Sequence, residues 1–221
     1  MTVNIPILCF SLLLLWFPRT WLRLGKRVSA KPERRYNLSK PERDPYDKTI
    51  KPLEEAAKSR NWVDLFRGAV GTYALFDAGL LPPRDLIGLD TTTALLQGGI
   101  LLIAMLIQMV RYETRLSLFA PIYFLQGVCF GVAGGLVGLL AMLGCWGLSP
   151  LLPGAGPVLF VQGSLVLVLG LLLKGADPTL LMTLAGIIIL PSILSVLLRK
   201  KLSASLDKRF KVIPRGAAEA E

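Results

Sequence analysis

The apolar positions of this chain fall into long unbroken runs, and its charges collect between them. Four runs reach or approach the roughly 20 apolar residues a helix needs to cross a hydrocarbon core of about 30 Å. They are Ala94 to Val110, Leu118 to about Cys145, Pro157 to Leu173, and Leu180 to Leu198. A fifth run, Val3 to Phe17, is shorter, and Trp16 and Trp21 extend it into the zone where aromatic rings favour the membrane surface. No positive residue precedes it, no small-x-small site follows it, and Arg19, Arg23, Lys26 and Arg27 come directly after it. It therefore reads as a retained anchor and not as a cleaved signal peptide.

Between the first run and the others the periodicity changes twice. Lys31 to Asp47 is rich in charge and proline and repeats Lys-Pro-Glu-Arg once. Such a stretch buries too little apolar surface to offset its ordering entropy, which predicts an extended linker. From Trp62 the pattern becomes helical. With successive residues about 100° apart, Trp62, Leu65, Phe66, Ala69, Val70, Tyr73, Phe76 and Leu80 share one face, while Asp64, Arg67, Gly68 and Gly71 lie opposite. Asn61 is the expected cap, and Gly79 with Pro82 and Pro83 the expected stop. An apolar face backed by a polar one predicts an amphipathic helix lying in the inner interface. Past the last run, Leu202, Leu206, Phe210 and Ile213 recur at helical spacing among basic residues, as expected for a tail on an anionic leaflet.

The predicted fold class is thus an all-α polytopic transmembrane bundle of about five spans. Its expected parts are an anchor (1–22), a charged linker (23–60), an interfacial helix and loop (61–93), the bundle (94–198) and a basic tail (199–221). If the first span runs outward to inward, the inner segments 18–93, 149–156 and 199–221 hold 22 of the 25 Lys and Arg, and the outer ones only Arg111, Arg115 and Lys174. That imbalance places the amino terminus outside and the carboxyl terminus in the cytoplasm, with a bacterial inner membrane as the default. A competing topology lets residues 62–81 span and breaks the long third run at Gly134-Gly135, for six or seven crossings. It moves Arg111 and Arg115 inside and makes each half short for a span.

Composition narrows the chemistry. Of 221 residues, 53% are hydrophobic and 18% charged, and none is histidine. Histidine-dependent nucleophiles, zinc sites and proton relays are excluded. Cys9, Cys129 and Cys145 sit in apolar runs without metal-ligand spacing and read as inert buried thiols. No phosphate loop, dinucleotide fingerprint or paired intramembrane carboxylate is present, so neither an enzyme nor a cofactor is expected.

The remaining candidates are polar exceptions within the runs. Asp77, at the edge of the apolar face, is the leading ionisable candidate, with Arg67 or Arg84 as its possible partner. Gln97, Gln126 and Gln162, with Gln108, are amides that need partners in hydrocarbon. Gly127, Gly131 and Gly135 at intervals of four, with Gly134 and Gly138 beside them, predict a close helix-packing seam, either within the chain or with another subunit. Pro121 and Pro191 are expected to interrupt the third and last spans. Arg199, Lys200, Lys201, Lys208, Arg209 and Lys211 are expected at the membrane surface, and the expected partners are an anionic lipid leaflet and a homo-oligomer or membrane subunit, with no nucleic acid. The expected function is a noncatalytic accessory, assembly or scaffold component, with a small-solute transporter or channel as the alternative.

Overall fold

A computed structural model describes residues 4–18, 59–80, 91–112, 116–152, 154–173, 177–198 and 202–203. The described residues are helical apart from turns and three short strands. Helix α1 is Ile5–Trp16, α2 is Ser59–Leu75 and continues as a π-helical turn over Phe76–Leu80, and α3 is Thr91–Met109. Then come β1 (Val110–Tyr112), β2 (Leu116–Phe119), α4 (Ile122–Ala133), α5 (Gly135–Leu148), α6 (Ala155–Leu173), α7 (Pro178–Leu197) and β3 (Leu202–Ser203). β1 pairs antiparallel with β2, and β3 pairs parallel with β2. Among the described residues two helices, α6 and α7, are long and apolar enough to cross a membrane.

The predicted run from Leu118 to Cys145 is not one helix. The chain reverses at Gly134, whose φ of 89° suits a residue without a Cβ. Phe130 and Gly138 pack so closely that a Cβ on Gly138 would lie 3.0 Å from the Phe130 Cα. The Tyr123 and Trp146 rings meet edge to face at 6.0 Å. In a continuous helix those pairs would stand roughly 12 Å and 35 Å apart. α4 and α5 therefore form a tight antiparallel hairpin. Pro121 precedes α4 and does not break it, as a residue without an N–H is tolerated at a helix start. Pro191 does lie inside α7, and the helix continues through it.

Contacts at the two ends give the helix directions. At one end, called here the sheet end, Arg67 meets Phe17 and Gln108, Tyr123 meets Trp146, and Ser192 bonds the Gly156 carbonyl at 3.0 Å. At the opposite end the Asn4 N–H donates to the Ala78 carbonyl at 2.9 Å and Gly170 packs on Leu181, and the turn at Gly134 faces that end from further inside. The seven described α-helices alternate in direction. α4 is the central element, with Phe124, Leu125, Val128, Cys129, Val132 and Ala133 all buried.

Most of the apolar face drawn for residues 62–80 is turned outward and the opposite face is turned into the protein, although Leu65 of the drawn face is buried. Asn61, Asp64, Arg67, Gly68, Gly71 and Thr72 are buried, while Trp62, Val63, Phe66, Val70 and Tyr73 are exposed, Phe66 to 61%. α2 is packed between α1 and α4 by its polar and small face, so it belongs to the bundle and is not a peripheral helix. Asn61 lies within the helix and does not cap it. Leu136, Leu139, Leu143, Phe160, Val168, Leu172 and Val196 are likewise turned outward. The described part of the chain has a polar-lined interior seam and an apolar exterior.

Candidate functional site

The most polar part of the interior is built by α2. Asp64 and Arg67 are three residues apart and so share a helix face. Arg67 Nη2 donates to Asp64 Oδ1 at 3.2 Å and to Gln108 Oε1 on α3 at 3.0 Å. Its Nη1 donates to the Phe17 carbonyl. Gln108 Nε2 donates to the carbonyls of Leu15 and Phe17, at 3.1 and 2.8 Å. The Arg67 guanidinium also stands 5.6 Å from the centre of the Phe124 ring on α4. One planar group with several donors thereby fastens four helices, which a lysine ammonium does not reproduce.

The geometry has a local cause. The last carbonyls of any helix lack intrahelical partners and carry its negative dipole end. At the end of α1 those carbonyls are met by a guanidinium and an amide, so Arg67 and Gln108 act together as the cap of another helix. Further along, Ser11 Oγ donates to the Gly71 carbonyl at 2.7 Å, and Trp16 Nε1 to the Ile100 carbonyl at 3.3 Å. α1 is thus bonded to α2 and α3 along its length and buries Leu15 completely.

The predicted seam divides into parts. Gly127 and Gly131 face α2, where a Cβ on Gly127 would stand 2.8 Å from the Ala69 nitrogen and one on Gly131 2.7 Å from Thr72 Cγ2. Gly68 returns the contact, with Val128 N at 3.2 Å from its would-be Cβ. Gly134 makes the turn, Gly138 packs inside the hairpin, and Gly135 meets nothing. The four-residue strip does not pass through one helix, because Gly135 lies beyond the reversal.

Asp77 is exposed in the π-helical turn, and Arg67 is paired with Asp64 instead. Gln97, Gln126 and Gln162 are almost completely buried. Neither amide atom of Gln97 or Gln126, nor Gln162 Oε1, has a hydrogen-bond partner, and Gln162 Nε2 reaches only Cys129 Sγ at 3.7 Å. Cys129 and Cys145 are buried as expected, whereas Cys9 is exposed on α1. Among the described residues no three His, Cys, Asp or Glu side chains could jointly hold a metal. Arg84, Lys174, Arg199, Lys200, Lys201, Lys208, Arg209 and Lys211 lie outside the described residues, as do the linker and the amphipathic tail.

Sequence reasoning placed Asp64 and Arg67 opposite the apolar face and named Gln108 as an amide in need of partners, but did not join it to Arg67. The available signal was the company these charges keep. Gly68 and Gly71 on the same face mark close backbone approach, and a face that admits another backbone is not a solvent face. No protein-family model, curated protein or solved structure matches the chain.

Proposed function

We propose that this protein is a noncatalytic integral membrane scaffold or assembly component, with all seven helices embedded and a cationic face presented to the cytoplasm. The carrying observation is the inverted distribution on α2, whose ionisable and small residues are spent on interhelical contacts while its aromatic and branched residues point out. That arrangement suits lipid surroundings, where apolar residues gain nothing from burial and polar ones must be satisfied inside. An exposed apolar surface spread around the bundle has the same explanation.

Alternating helices supply the topology of this proposal. The segments 18–58, 110–121, 149–154 and 198–221 all join helices at, or continue from, the sheet end. By sequence those segments carry 21 of the 25 Lys and Arg, Arg60 and Arg67 lie in the part of α2 nearest the sheet end, and only Arg84 and Lys174 belong to segments that join helices at the other end. The imbalance is steeper than the five-span arrangement allows, and by the positive-inside rule the sheet end is cytoplasmic and the amino terminus external. Trp62, Trp146 and Tyr123, with ring centres 6.0 to 6.4 Å apart, suit the inner aromatic belt. The bonds of α1 to α2 and α3 support its retention as a permanent helix.

The scaffold reading predicts that affinity isolation in mild detergent returns a stoichiometric membrane partner that is lost when the basic residues 199–201 are neutralised. Recovery of the monomer alone refutes it. A second reading, a small-solute transporter or channel, is favoured by the unpartnered amides of Gln97, Gln126 and Gln162. It requires solute flux in proteoliposomes that falls when Gln126 and Gln162 are replaced by Met.

A further inference from the structure

The helical hairpin is too short for its neighbours. Its turn can be placed against three other helices by side-chain and backbone contacts. Gly127 packs between Leu65 and Ala69, and Gly131 on Thr72, which puts Gly134 level with residues 74 to 75 of α2, five or six residues before the π-helical turn ends at Leu80. Cys129 meets Gln162 on the parallel helix α6, which puts Gly134 level with residue 167, six residues before Leu173. Gly170 packs on Leu181, so the same level falls near residue 184 of α7, again about six residues inside that helix. At 1.5 Å per residue the hairpin turn stops about 9 Å short of the outer ends of α6 and α7.

That recess carries a polar load. The first N–H groups of α5 have no acceptor within their own helix, and no side chain caps them. Gly135 is exposed with nothing near its Cβ position, and Leu136 beside it is 62% exposed. α5 is therefore on the periphery, with an uncapped helix start at a depth where α6 still presents Val168 outward, 52% exposed. Free backbone groups are not tolerated against hydrocarbon.

We propose that the outer leaflet is thinned over the α4–α5 turn, so that lipid headgroups and their water descend about 9 Å to meet Gly134 and Gly135 while hydrocarbon of ordinary depth surrounds α6 and α7. The protein thus presents a lopsided hydrophobic belt and deforms the bilayer on one flank. This rests on the membrane reading above.

The test uses thiol accessibility in proteoliposomes of the full chain. In a Cys9→Ser background, three variants are compared: Gly135→Cys at the turn, Val168→Cys at the same level on α6, and Thr179→Cys at the outer end of α7. A charged maleimide is supplied on both sides of the membrane, and the thiol must be ionised and wet to react. The Gly135→Cys thiol is expected to react within about threefold of the Thr179→Cys thiol and about 100-fold faster than the Val168→Cys thiol. Gly135→Cys as slow as Val168→Cys places the turn in hydrocarbon and overturns the proposal. Val168→Cys as fast as Thr179→Cys instead shows no lipid at that level, which overturns the membrane reading itself. Leu136→Cys repeats the measurement at a second exposed position.

Discussion

Gly127 and Gly135 have equal claims in the sequence, eight residues apart on the same four-residue spacing, yet their substitution by alanine has opposite expected outcomes. A Cβ on Gly127 meets the Leu65 carbonyl group and the Ala69 nitrogen at 2.8 Å, both backbone, where ordinary contact begins near 3.4 Å. No side-chain rotation relieves that overlap, so α2 and α4 must separate by about 1 Å along their most intimate contact, in an interior packed near crystal density. Overpacking of this kind costs about 1 to 3 kcal/mol, and lost van der Waals contact on both helices puts Gly127→Ala at the upper end. For a domain of this size that corresponds to a fall of roughly 6 to 12 °C in Tm. Gly135→Ala meets nothing and replaces a weak helix former with the best one, for a gain of up to about 1 kcal/mol. The assay is thermal denaturation in detergent, followed by loss of the monodisperse peak on size-exclusion chromatography. Equal effects of the two substitutions, or a milder one at Gly127, would refute the assignment of the α2–α4 contact.

Further expectations follow from the burial and contacts of Arg67, Asp77, Cys129 and Cys145. Arg67→Met removes the cation that joins α1, α2, α3 and α4 and breaks a buried pair, at a cost of about 3 to 5 kcal/mol. Arg67→Lys recovers only part of the loss in the same melting assay, because an ammonium lacks the guanidinium fork; equal stability of Lys and Arg there would count against the fork. Asp77→Asn changes stability by less than about 0.5 kcal/mol, as an exposed side chain should, and a large loss of stability would show that Asp77 has a structural partner. The thiols of Cys129 and Cys145 react with a water-soluble maleimide only after denaturation, and prompt labelling of the native protein would contradict their burial.

Helix positions were readable from the sequence because hydrophobic runs are local. Four of the five expected runs appear as α1, α3, α6 and α7 with ends shifted by a few residues, and the helix from Trp62 appears as α2. The clustering of Lys and Arg in a few segments between the apolar runs was equally readable, since it is a property of the sequence alone. Three things were not local. Periodicity states which residues share a face of α2, but whether the polar or the apolar face is buried depends on whether the surroundings are water or lipid. A run of 28 mainly apolar residues from Leu118 to Cys145 is compatible with one long helix or with two short ones, and the choice falls to a single residue, Gly134, whose left-handed φ becomes useful only when α4 and α5 can pack on each other. Finally, Asp64, Arg67 and Gln108 are unremarkable in isolation. They become a unit because tertiary packing brings the unsatisfied carbonyls at the end of α1 within reach of a guanidinium 50 residues away along the chain.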